Sequence, residues 1–324
     1  MKPKLLLARA VFDEVAQQLA QHFELIKNEG DQVLDARQMI AALQGCQALF
    51  ATPSETIGAE VLQACPQLRT IGLMAVGYNN VDLKSASAHG VMVTNTPDIL
   101  TETTADFAWA LLLATARRVT EAEHWLRAGL WQNWRFDTML GQDVYGSTLG
   151  ILGMGRIGQA IARRAQGFSM PVLYHNRQPL PAEQAQGASW VEKHELLQRA
   201  DHLILILPYS SQTHHCIGAA ELALMKPSAT LINLARGGIV DDAALVAALQ
   251  QKRIAGAGLD VFENEPALHK GLLALQNVVL TPHIASASEA TRRKMAQRAA
   301  HNLIASLSGT PPDLVNPAAL AQKE

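Results

Sequence analysis

The sequence predicts an α/β protein of two doubly wound domains with parallel sheets, one inserted into the other, and three observations carry that expectation. The stretch Thr148 to Gly158, TLGILGMGRIG, reads as a buried strand running into a glycine loop and then a helix. Apolar runs of strand length alternate with helical segments both before and after it. A last helical segment, Ser288 to Ser308, follows the second series of strands. If that segment packs on the first series, residues 1–98 and 288–324 form the outer domain and 99–287 the inserted one.

In chain order, Lys4 to Ala8 reads as a strand, Val11 to His22 as a helix and Ala48 to Thr52 as a strand. Gly58 to Ala64 is a short helix closed by Pro66, followed by strands at Leu68 to Ala75 and Val91 to Asn95. The third strand runs into VGYNNVD, Val76 to Asp82, where a glycine at a strand's carboxyl end can expose backbone N–H groups to an anion. A plain left-handed turn at Gly77 is an equal alternative. Pro97 breaks the fourth strand, Thr103 with Asp106 resembles a capping box, and a long helix follows to Arg118, placed to act as a hinge. Glu121 to Tyr145 carries Trp125, Trp131 and Trp134, preceded by Trp109, a density that suggests an interface.

Beyond the glycine loop, Ile157 to Gln166 is an amphipathic helix and Val172 to His175 a strand, completing a β-α-β unit. Further strands are expected at Leu203 to Leu207, Thr230 to Leu234, Gly258 to Val261 and Val278 to Leu280, with a helix at Asp242 to Gln251.

Composition narrows the classes of function. The 324 residues are enough for two domains, and 48% hydrophobic content supplies their cores. A net charge of −2 with mixed signs offers no basic stripe for nucleic acid. Three scattered cysteines suggest neither a disulfide framework nor a clustered metal site, and fit a reducing cytoplasm. The amino-terminal apolar run is short and broken by Arg9, and the longest apolar stretch, Phe107 to Ala116, is too short for a membrane span. The expectation is a soluble, cytoplasmic protein.

The glycines at 153, 155 and 158 have the G-x-G-x-x-G spacing that brings a backbone close to a pyrophosphate, with helix amides facing it. Folds of this kind place an acidic residue at the end of the second strand to hold the ribose hydroxyls. Here that strand ends in Asn176 and Arg177, a cation suited to a phosphate, so NADP(H) is expected over NAD(H). Three more residues stand at strand ends: Arg236 in INLARGG, Glu265 in GLDVFENEP and His283 in LTPHIAS. Reduction of a 2-oxo acid needs such a set: a guanidinium to bind the carboxylate and polarise the carbonyl, an imidazole to deliver a proton, and a carboxylate to orient it.

Taken in order, VGYNNVD, TETTAD, LGILGMGRIG, LPYSSQTHH, INLARGG, AGLDVFENEP and TPHIAS resemble the D-isomer-specific 2-hydroxyacid dehydrogenases, almost end to end. Within that family the pattern is similar to the glyoxylate/hydroxypyruvate reductases that also reduce 2-ketogluconate. The resemblance implies two Rossmann-like domains, a parallel-sheet cofactor domain inserted into a flavodoxin-like substrate domain, and a homodimer joined through the cofactor domains. It implies Arg236 as substrate binder, His283 as acid/base and Glu265 as its partner. Backbone amides of Val76 and Gly77 would hold the substrate carboxylate, and Trp134 would reach the partner's substrate cleft. Thr104, Met154, Gly155, Arg156, Ile157, Leu207, Pro208, Thr213, Leu234, Ala235, Asp260 and Ala285 would line the cofactor, with Asn176 and Arg177 at its ribose. Two departures, Asn79 in VGYNN and Ala285 after His283-Ile284, imply altered fit with the chemistry retained. A corepressor that senses dinucleotides on the same fold is the alternative from another class, and retention of all three catalytic residues argues against it.

Overall fold

The computed structural model describes residues 2–323, with side chains through residue 320. The chain divides into two compact units, one made of the segments up to Leu100 and from Ala287 onward, the other of Thr101–Ser286.

The first unit is a five-stranded parallel sheet. Its strands β1 (Lys4–Leu7), β2 (Glu24–Lys27), β3 (Ala48–Ala51), β4 (Thr70–Leu73) and β5 (Met92–Thr94) lie in the order β2-β1-β3-β4-β5. Alternate residues serve opposite faces. Leu5, Leu7 and Phe50 meet the last helix, Glu289–Ser306, through Ala296, Ala299, Ala300 and Leu303, whereas Leu6, Leu49, Ile71 and Val93 pack on the other side. Gly72 in mid-strand has a packing reason, because a Cβ there would stand 2.6 Å from Leu303 Cγ. The elements outside the sequence-based expectation include β2, the helix Ala36–Ala42 and the helix Leu83–Ala88. The strand ELIK is a half-exposed edge strand without an apolar run, and the helix Ala36–Ala42 is announced only by its Asp35/Gln38 capping box.

The second unit holds seven parallel strands: β6 (Leu149–Leu152), β7 (Val172–His175), β8 (Ser189–Trp190), β9 (His202–Leu205), β10 (Thr230–Asn233), β11 (Gly256–Leu259) and β12 (Val278–Leu280). Their order, β12-β11-β10-β9-β6-β7-β8, reverses direction between β6 and β9, and such a switch point opens a crevice at the strands' carboxyl ends. β11 begins two residues earlier than its apolar pattern suggests; Asp260 and Val261 have already left the sheet. The long helix Thr101–Ala116 buries Ala105, Ala108, Leu111 and Leu112, and a Cβ on Gly258 would meet Thr115 Oγ1 at 2.6 Å, so helix and β11 are in close contact.

Two further expectations do not hold. Thr103 lies inside the first turn of the long helix, not at its cap, and Asp106 is drawn instead into an ion pair with Arg164 at 2.7 Å. Trp109 belongs to the unit's own core: it is buried, stacks on Phe168 with centroids 4.5 Å apart, and donates from Nε1 to Ile161 O. The rest of the tryptophan-rich stretch behaves differently. Helix Val119–Arg127 buries none of its residues, and Leu126, Leu130, Trp131, Trp134, Phe136, Leu140 and Tyr145 are all exposed. Among the described residues, no helix is long and apolar enough to cross a membrane.

Candidate active site

The glycine loop owes its shape to three different constraints. Gly153 sits at φ +102°, and a Cβ there would lie 2.7 Å from Ile206 O, so the turn after β6 closes tightly against the chain leaving β9. A Cβ on Gly158 would meet Gly153 O at 2.4 Å, which seats the helix Arg156–Ala165 directly on the loop. Around Gly155 the same construction meets nothing within 4 Å. The protein therefore leaves open space beside Gly155, at a helix start whose first amides have no carbonyl one turn earlier to accept them. This is the cradle that a dinucleotide diphosphate requires.

Asn176 fastens the loop to the end of β7. Its Oδ1 accepts from Met154 N at 2.7 Å, and its own carbonyl accepts from Trp190 Nε1 at 3.0 Å. Met154 is thus engaged through both backbone and side chain, the latter fully buried in the core. Arg177, one residue on, is exposed and has no hydrogen bond or ion pair among the described residues.

At the carboxyl ends of β10, β11 and β12 the three residues singled out above come together. His283 Nδ1 lies 2.8 Å from Glu265 Oε2, and Glu265 Oε1 accepts from Phe262 N at 2.9 Å. Burial raises the Glu265 pKa, but the hydrogen bond and charge of His283, the Phe262 amide and the charge of Arg236 outweigh it, holding the carboxyl below its ordinary value. Arg236 is half-buried and donates from Nη1 to Ala235 O at 2.8 Å; desolvation lowers its pKa, with Glu265 opposing. Gly237 explains how the two turns meet, because a Cβ there would fall 1.6 Å from Phe262 O.

His283 itself is held in the left-handed region, φ 54°, and its N–H donates to Asp260 O at 2.9 Å. Asp260 is fully buried. Its Oδ1 accepts from Thr281 Oγ1 (2.7 Å) and Ile284 N (2.8 Å), and its Oδ2 from Ala285 N (2.8 Å). Burial raises this carboxyl's pKa and those donors oppose the rise. Asp260, expected against the cofactor, is thus the residue that builds the loop around His283, and Ala285 is buried as one of its donors.

The other expected contacts divide by place. Leu207 and Pro208 follow β9 beside the switch point, while the Thr213 hydroxyl is turned back on its own loop, accepting from Ser210 N at 2.7 Å and donating to Pro208 O at 3.0 Å. Leu234 and Ala235 are buried after β10, Thr104 is buried on the long helix, Ile157 is half-buried and Arg156 exposed. Trp134 is 80% exposed. Val76 and Gly77 belong to the first unit, just past β4. Gly77 is not in the left-handed region, and neither amide N–H has an acceptor among the described residues, a backbone free to bind an anion. Sequence reasoning missed Asn233, whose side chain accepts from Ala235 N (3.0 Å) and donates to Arg236 O (3.3 Å), shaping the turn that carries Arg236.

Comparison with known proteins agrees with this geometry. Residues 109–285 match the family model described as D-isomer specific 2-hydroxyacid dehydrogenase, NAD binding domain. The chain is 48% identical over 322 residues to a glyoxylate reductase of Thermococcus onnurineus, covering 98% of this chain and 96% of that one. It is 46% identical over 324 residues to glyoxylate/hydroxypyruvate reductase B of Yersinia pestis, covering 99% of each. Among solved structures it is similar to an NADPH-dependent glyoxylate/hydroxypyruvate reductase of Sinorhizobium meliloti in complex with NADP and malonate, with TM-score 0.87, 37% identity and 97% of each chain covered. The chain belongs to the D-isomer-specific 2-hydroxyacid dehydrogenases.

Proposed function

We propose that this protein reduces small 2-oxo acids, glyoxylate and hydroxypyruvate foremost and 2-ketogluconate in addition, with NADPH preferred over NADH. The observation that carries the reading is the Glu265–His283 pair at 2.8 Å beside Arg236, at the strand ends of a sheet whose glycine loop leaves room for a diphosphate. The bound dinucleotide supplies the hydride. Arg236 hydrogen-bonds the substrate carboxylate and draws charge onto the carbonyl oxygen. As the carbonyl carbon gains the hydride, His283 gives its Nε2 proton to the carbonyl oxygen, and ionised Glu265 keeps Nδ1–H in place and compensates the imidazolium charge.

Arg177 carries the cofactor preference, because a carboxylate is absent at that strand end and the guanidinium is free for the 2′-phosphate. The exposed apolar residues between Leu126 and Tyr145 support a homodimer through this unit. Steady-state oxidation of NADPH and NADH on glyoxylate, hydroxypyruvate and 2-ketogluconate tests the assignment. Turnover with a higher kcat/KM for NADPH is expected; cofactor binding without turnover would turn the reading toward a dinucleotide sensor.

A further inference from the structure

We propose that His214, His215 and Glu263 form a binding site for a divalent transition metal ion of the zinc type, apart from the His283–Glu265 pair. One ligand atom from each residue lies within 4.8 Å of the others, so a single ion can reach all three. The His214 and His215 rings stack with centroids 3.9 Å apart and planes at 22°, which presents their edges side by side. His215 Nε2 and Glu263 Oε1 are 2.7 Å apart, sharing a proton that an incoming ion displaces to solvent.

The surroundings fix these side chains as a metal's outer shell does. Tyr209 OH lies 3.1 Å from His214 Nδ1, a hydrogen bond that orients the ring. His215 is held at φ 48° with its N–H on Gly238 O at 2.7 Å, and Glu263 N donates to Asp242 Oδ2 at 3.2 Å. A His215–Glu263 ion pair alone needs neither the stacked His214 nor the hydroxyl behind it. Two imidazoles and one carboxylate suit zinc, cobalt or nickel, and are a poor set for magnesium or calcium, which take oxygen ligands. Three protein ligands leave a position for water. The cysteine pattern pointed away from a metal site, and these histidines do not enter that argument.

The test is titration of chelator-treated protein with Zn2+ against a chromophoric competitor, repeated with Co2+ for its absorption bands. One equivalent is expected to bind. Tyr209→Phe should weaken binding about tenfold or more, and His214→Ala or Glu263→Gln by more than that, with unfolding of the metal-free variants unchanged. His283→Ala should bind as the wild type does. Absence of saturable binding, full binding in both His214→Ala and Glu263→Gln, or loss confined to His283→Ala would each overturn the proposal.

Discussion

At the scale of single residues, the site depends on carboxylates given unequal work by their surroundings. Asp260 is buried and spends its oxygens on the loop that bears His283. Glu265, held below its ordinary pKa, stays ionised through neutral pH and faces the imidazole. Replacing it with Gln removes the negative charge that compensates the imidazolium, so kcat for 2-oxo acid reduction should fall by about tenfold or more while the KM for NADPH holds. Full activity in the variant would reduce Glu265 to a structural part. Arg177→Ala should raise the NADPH KM roughly tenfold to a hundredfold, the cost of a charged hydrogen bond, and leave NADH nearly unaffected. Equal weakening of both cofactors in the same assay would contradict the role given to Arg177.

At the scale of elements, the strands that build the site were legible because each joins an unbroken apolar run to a turn with distinctive residues. LGIL before GMGRIG and TLIN before LARGG are such cases, and both strands are fully buried. Two of the four edge strands were not legible: β2 and β8 are short and half-exposed, so no apolar run marks them. Side-chain wiring between distant segments was equally hidden, as with Asn176 on Met154 or His215 on Glu263, because no local pattern encodes which loop meets which.

The start of β9 supplies a test of its own. His202 is buried with Nδ1 2.7 Å from Thr230 Oγ1, and burial lowers its pKa against the opposing pull of the Asp143 backbone and the Asp201 charge. The folded protein therefore keeps this ring neutral where the unfolded chain takes up a proton. Its contribution is complete above about pH 6.5 and declines as pH falls below that value. His202→Gln should flatten the acid side of the melting-temperature curve. A curve as steep as that of the wild type would place the acid sensitivity elsewhere.

At the scale of the whole molecule, the chain leaves the first unit after Leu100 and re-enters it at Ala287, four residues beyond His283. The second unit displays the apolar stretch from Leu126 to Tyr145, in which Trp134 and Phe136 are about four-fifths exposed. Such exposure fits the proposed homodimer, in which we propose that Trp134 would serve the partner's substrate cleft as a rigid aromatic wall. Trp134→Ala should then alter relative kcat/KM among glyoxylate, hydroxypyruvate and 2-ketogluconate while sedimentation still reports a dimer. Dissociation with an unchanged substrate ranking would assign the ring to assembly alone.

In the proposed reduction His283 delivers the proton to the 2-oxo acid while Arg236 grips the substrate. Single-turnover oxidation of enzyme-bound NADPH on glyoxylate, comparing the wild type with His283→Ala, measures the proton's share. The variant should bind NADPH normally yet lose about 100- to 10,000-fold in the chemical step, the range general acid catalysis supplies. A variant that turns over within a few-fold of the wild type would contradict this role of His283.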